Sequence, residues 1–216
     1  VENVDFSGAI LPGQFDALLA VQPSSLSPEQ FSRLIDAVKA GVPMAIFEDP
    51  IPFAQSFIPG TGEPKQAPGG FMGGGGPAPK GDMRQLWEVL ELKVPGKPSM
   101  QSGLFAPSLV WQQYNPYPNL EMNVNDLWVF VDSQAPGAEN ALSDQNPITS
   151  GLRQILALFA GSLSAKEAPT LKHTPLLTTG ALSGLIDAEA AQRILRREST
   201  PMREIGGPDG PQTIAM

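Results

Sequence analysis

Three acids and three serines stand where an α/β protein usually keeps its chemistry. Ser24 and Ser25 follow the apolar run 16–21, Glu48 and Asp49 close the run 42–47, and Asp132 with Ser133 ends the run 126–132. In an open α/β sheet, ligands and catalytic groups gather at the carboxyl ends of strands. Carboxylates converging there can bind Mg²⁺ or Ca²⁺, or move protons. One reading is therefore a metal-assisted hydrolase built on Glu48, Asp49 and Asp132. The plainer reading is turn chemistry, because Asp49-Pro50 and Asp132-Ser133 are both turn openings.

The serines carry less. A nucleophile elbow reads G-x-S-x-G, the glycines permitting a strained turn, and a serine nucleophile needs a base beside it. Here the context is V-Q-P-S-S-L, without either glycine. The sole histidine, His173, lies in "LKHTPLL", and nothing in the sequence brings it to Ser24. Ser24 and Ser25 are assigned to shaping the corner, and Ser27 to starting the helix after it. No catalytic residue, metal ligand or cofactor is assigned. Gln22, Ser24, Ser25, Asp49, Asp132 and Ser133 are the expected surface for a ligand or partner, because they occupy the strand ends.

Other motifs are weighed and set aside. The run "GGFMGGGGPAPKGD" (69–82) has the glycines and a lysine, Lys80, of a phosphate cradle, but Gly81 stands where Ser or Thr is needed. Trp111, Tyr114 and Tyr117 could stack on a sugar or hold a peptide, which gives a glycan-binding module as a third reading. Arg193, Arg196 and Arg197 lie on one helix face, a solvated stripe by default in a chain of net charge -8. That charge also argues against a nucleic-acid or anionic-lipid surface. With Cys 0, thiolate catalysis, disulfides and Cys-ligated metals are excluded. The lack of cysteine also fits a chain outside the cytoplasm.

The elements that must position these residues are legible from pattern. "DALLAV" (16–21) and "VPMAIF" (42–47) read as strands buried on both faces. Between them, Ser27-Pro28-Glu29-Gln30 opens a helix with a capping box. Phe31, Leu34, Ile35 and Val38 form its stripe, and Lys39 and Gly41 close it. The unit predicts two adjacent parallel strands. Residues 59–81, rich in Gly and Pro, predict a long mobile loop. Asp82 and Asp187 are expected to cap further helices. Strands are expected in "SLVWQQ" (108–113) and at 127–131, 153–160 and 174–179, although Leu152, Ile155, Leu156 and Phe159 also fit a helix. No apolar run reaches the ~18 residues of a membrane span. The chain opens on "VENVDFSGAI" and is expected to be a single domain excised from a longer, membrane-anchored protein.

The stretch "FDALLAVQPSSLSPEQFSRLIDAVKAGVPMAIFEDP" (15–50) resembles the auxiliary domain of ABC-type transport systems of the gliding-motility (GldG-like) class. The resemblance lies in Val21 to Pro23, Leu26 to Glu29 and Asp49-Pro50, and continues in "NPITSGLRQILALFAGSLS" and "TPLLTTGALSG". It favours a strand at 153–160. It implies a flavodoxin-like or class I glutamine amidotransferase-like fold: a three-layer α/β sandwich with a mostly parallel sheet. It also implies a place outside the inner membrane, membrane subunits of an ABC transport complex as partners, and no catalytic residues. Amidotransferase activity would need a cysteine that is absent. The Gly/Pro insertion at 59–81 and the single glycine of Ala40-Gly41-Val42 depart from the pattern of that class. The expected function is therefore a non-enzymatic docking, sensing or scaffold domain, with a peptide or glycan as its candidate ligand.

Overall fold

A computed structural model describes residues 2–55, 57–66, 76–120, 125–144, 146–196 and 205–216. Its first unit follows from its residues. β1 (Leu18–Val21) leads through a short helical turn, Pro23–Ser25, into α1 (Pro28–Lys39), which returns to β2 (Met44–Phe47). Ser27 accepts from the Gln30 backbone N–H while the Gln30 side chain accepts from the Ser27 N–H, so the capping box is complete. Gly41 takes a φ of 80°, the left-handed conformation that ends a helix without a side-chain clash. β1 and β2 pair in parallel, Leu18 opposite Met44 and Val21 opposite Phe47. α1 buries Phe31, Leu34 and Ile35 against Met83 and Leu86 of α2 (Met83–Val89), and Asp82 caps α2 by accepting from the Arg84 N–H.

Beyond β2 the expected architecture is corrected. Among the described residues the strands form six separate two-stranded sheets, and only β1–β2 is parallel. β3 (Leu92–Lys93) pairs with β9 (Ser164–Ala165), and β4 (Gly96–Pro98) with β5 (Phe105–Pro107). β6 (Leu109–Gln112) pairs with β11 (Ser183–Ile186), β7 (Trp128–Asp132) with β8 (Gln154–Leu158), and β10 (Leu177–Thr178) with β12 (Thr213–Ala215). All five of these pairs are antiparallel. There is no three-layer, mostly parallel sandwich of flavodoxin or glutamine-amidotransferase type.

The reason lies in the connections. A parallel neighbour needs a crossover of a dozen or more residues, usually a helix, whereas an antiparallel one needs only a chain reversal. Between β7 and β8 the described residues of 133–153 form turns and no helix, so β8 runs back along β7. The apolar run and terminal acid at 126–132 mark a strand but carry no information about its neighbour's direction. A strand does form within 153–160, at Gln154–Leu158, while the one expected at 174–179 shortens to Leu177–Thr178.

Burial on both faces is likewise corrected for β1 and β2. Leu18, Ala20, Met44 and Ile46 face α1, but Leu19, Val21 and Phe47 are 68%, 54% and 62% exposed on the other side. The doubly buried strand is instead β6. Leu109 and Trp111 enter one core cluster with Leu127, Phe159 and Ile186, and Val110 enters a second with Val129 and Val131. The alternation follows the two-residue period of a strand. Asp187 caps α3 (Ala188–Leu195) by accepting from the Ala190 N–H, and α3 seals the first cluster with Ala190 and Ala191. Arg193 is half-buried, Arg196 is exposed, and Arg197 lies outside the described residues.

Two buried glutamines extend the backbone pairing, Gln22 at the end of the β1–β2 ladder and Gln112 between β6 and β7, which no ladder joins. The Gln22 amide donates to the Asp49 carbonyl at 2.9 Å and accepts the Asp49 N–H at 2.9 Å. The Gln112 amide does the same to Phe130, at 3.1 and 2.8 Å. Each side chain acts as a surrogate peptide unit, prolonging β1–β2 by one rung and tying β6 to β7. Both glutamines are buried, at 3% and 2% exposure, where an unpaired amide would be costly.

Candidate functional site

The carboxyl ends of β1 and β2 hold a polar knot. Gln22 leaves β1 in the left-handed region, φ 50° and ψ 55°, which turns its side chain back across β2. Its amide also donates to the Pro59 carbonyl and to Glu48 Oε1, each at 3.2 Å. Glu48 Oε1 receives the Thr61 hydroxyl at 2.6 Å, and Glu48 Oε2 the Ser24 N–H at 3.2 Å. Burial pushes the Glu48 carboxyl above its ordinary range, partly offset by the bonds from Thr61 and Ser24 and by the more distant charge of Lys80. Asp49 is also raised by burial, against which the Ile51 N–H on Oδ1 acts.

The expected mobile loop supplies the other half of this knot. Lys80 Nζ donates to three carbonyls, of Gly60 at 2.8 Å and of Thr61 and Glu63 at 3.1 Å each. Lys65 Nζ reaches the Ser25 carbonyl at 2.7 Å, and Lys65 bridges to Ala78 across the loop. Burial lowers the Lys80 pKa, with the Glu48 and Glu63 carboxylates holding its charge in place. Gly60 packs so closely that a Cβ there would lie 2.1 Å from the Pro50 carbonyl oxygen. The flanks of the loop are thus seated on the strand ends, while 67–75 lie outside the described residues.

The expected site residues divide into two groups. Gln22, Ser24, Ser25 and Asp49 come together, with Glu48, in this knot. Asp132 belongs to another network: its Oδ2 accepts from Gln154 Nε2 at 2.7 Å and from the Tyr114 hydroxyl at 3.2 Å, and its Oδ1 accepts the Gln134 N–H. Ser133 is exposed at that turn. Asp49 and Asp132 therefore satisfy separate partners, and among the described residues no cluster of three or more acidic, histidine or cysteine side chains can hold a metal. The aromatic trio also divides. Trp111 is 1% exposed in the core, while Tyr117 reaches the surface and donates to Gln154 Oε1 at 2.6 Å. His173 donates from Nε2 to the Leu90 carbonyl at 2.9 Å, behind α2, and Ser24 faces Glu48 instead.

Thr61 and Lys80 are functional partners that the sequence does not single out. In the sequence Lys80 stands only as the lysine of an incomplete phosphate cradle, and Thr61 lies inside a stretch that reads as loop. The one available signal was Glu48 itself, an acid attached directly to an apolar strand, which must find donors wherever the chain can bring them.

Taken together, the knot is a structural clasp with one acid, Glu48, on the wall of a neighbouring cavity. Its donors, the Thr61 hydroxyl, the Gln22 amide and the Ser24 N–H, hold the Glu48 carboxylate in place. A family model described as an ABC-type uncharacterized transport system matches residues 1–216. No curated protein and no solved structure matches the chain.

Proposed function

Because the chain belongs to the auxiliary family of ABC-type transport systems, we propose that it docks the membrane subunits of such a system and catalyses no reaction. The observation that carries this is the outward face of β1–β2. In register, Leu19 stands beside Ala45 and Val21 beside Phe47, so the exposed apolar side chains form one continuous strip. Single exposed hydrophobics are ordinary, but a contiguous strip marks an interaction surface. Parallel strands are normally covered on both faces, and α1 covers only one of these. A transport subunit is the partner that family membership supplies for the other.

The same reading places the domain on the extracytoplasmic side and, more narrowly, in the gliding-motility class, as the resemblance implies. Among the described residues no helix is long and apolar enough to cross a membrane. A non-enzymatic role is supported by the pairing of His173 with a backbone carbonyl and by the separation of Asp49 from Asp132 into different networks. The test is a Leu19→Lys/Phe47→Lys double variant. Both positions are exposed, so its melting temperature should stay within a few degrees of the parent. Co-purification with the membrane subunits should be lost. A folded variant that still co-purifies fully would refute the docking face.

A further inference from the structure

A cavity of about 490 Å³ lies between β2, α2, β3 and β12. Its walls include Met44, Ile46, Leu86, Trp87, Leu92 and Ile214, with Glu48 and Thr61 among its few polar groups. That size and lining, apolar with a few placed polar groups, is the usual form of a small-molecule site. Glu48 is the one ionisable side chain on the wall. Among the described residues none of the ion pairs includes Glu48, because the ammonium of Lys80 is directed at the carbonyls of Gly60, Thr61 and Glu63. Neutral donors from Thr61, Gln22 and Ser24 hold the carboxylate in position, and the charge of Lys80 acts on it only from beyond ion-pair distance. A carboxylate against apolar walls calls for a cation, and buried charges in proteins are ordinarily paired.

We propose that this cavity binds a cationic amphiphile, its hydrocarbon body among the apolar side chains and its ammonium head on Glu48. The proposal does not rest on the docking face: Leu19 and Val21 of that strip are not on the cavity wall, and Phe47, which borders both, plays no part in the argument for the cation. Charge complementarity selects the occupant: an anionic amphiphile would set its head against Glu48, and a neutral one would leave the acid unpaired.

The experiment is calorimetric titration of the protein with octylammonium, hexylammonium, octanol and octanoate. Octylammonium should bind at one saturable site, tighter than hexylammonium by about fourfold for each added buried methylene. It should bind about tenfold or more tighter than octanol and octanoate, as expected of one charge-assisted contact. Glu48→Gln should remove the advantage of octylammonium over octanol. Ile46→Trp, which fills the cavity from β2, should abolish binding of both. Should Glu48→Gln not fold, as its melting curve will show, the octanoate comparison and Ile46→Trp decide. Unsaturable binding, octanoate binding as tightly as octylammonium, or a folded Ile46→Trp with undiminished affinity would overturn the proposal.

Discussion

Replacing Gln22 tests whether one side-chain amide holds the end of the β1–β2 unit. The Gln22→Ala change removes a donor to the Asp49 carbonyl, the Pro59 carbonyl and Glu48, and the acceptor of the Asp49 N–H. At about 1 kcal/mol net for each bond, with water recovering part of the loss at the partly exposed partners, the change should destabilise by about 3 kcal/mol. With an m-value of about 2 kcal/mol/M, the urea midpoint falls by about 1.5 M. Gln22→Gly loses the same bonds but relieves a φ of 50°, worth about 1 kcal/mol, and should fall by only about 2 kcal/mol. Gln22→Glu keeps the acceptor and sets a second carboxylate against Glu48, so one of the two must take up a proton. That variant should be the least stable of the three at about pH 7.5 and recover relative to Gln22→Ala at about pH 5. Urea titrations at both pH values separate the amide, the backbone and the charge. If Gln22→Ala costs under about 1 kcal/mol, or Gln22→Glu is no worse than Gln22→Ala at the higher pH, the amide is not the tie described.

Further expectations concern neighbouring parts of the same framework. Lys80→Met removes three carbonyl contacts and should destabilise by about 2 kcal/mol, with limited proteolysis opening first at 59–66. Protection of that segment as good as in the parent would show that the lysine does not hold the loop. Glu48 and Asp49 both bind a proton more readily folded than unfolded. Their contribution to stability is therefore complete below the ordinary values of 4.5 and 3.8 and is lost as pH rises through the higher folded values. Melting temperatures from about pH 4.5 to 7.5 should decline more steeply for the parent than for Glu48→Gln, and parallel curves would remove Glu48 from the account. In β11, a Cβ on Gly184 would meet Trp111 Nε1, Cε2 and Cζ2 at 2.9 Å each. Trp111 is packed in the core with Leu127, Phe159 and Ile186, so Gly184→Ala should destabilise by about 1–3 kcal/mol and alter the near-ultraviolet dichroism of the tryptophan. An unchanged spectrum and melting curve would show that the indole can move.

What the sequence determined by itself is local. Ser27 with Gln30, Asp82 and Asp187 start their helices as the spacing predicts, because a cap is satisfied by backbone two or three residues away. Strands form within the runs 16–21 and 42–47 and at Trp128–Asp132, because short apolar runs bounded by turn residues fit a pleated surface. The tertiary structure alone decided which way those strands pair. Direction depends on the connections, and the described residues of 133–153 form turns where a parallel sheet would have required a crossover helix. Only the folded chain revealed that Leu19, Val21 and Phe47 face outward, since an apolar residue does not say whether anything will cover it. Asp49 and Asp132 carried the same sequence signal and joined different networks. The knot that did form took Thr61 and Lys80 from a stretch without periodicity, because Glu48 needs donors in space and sequence distance places no limit on where they come from.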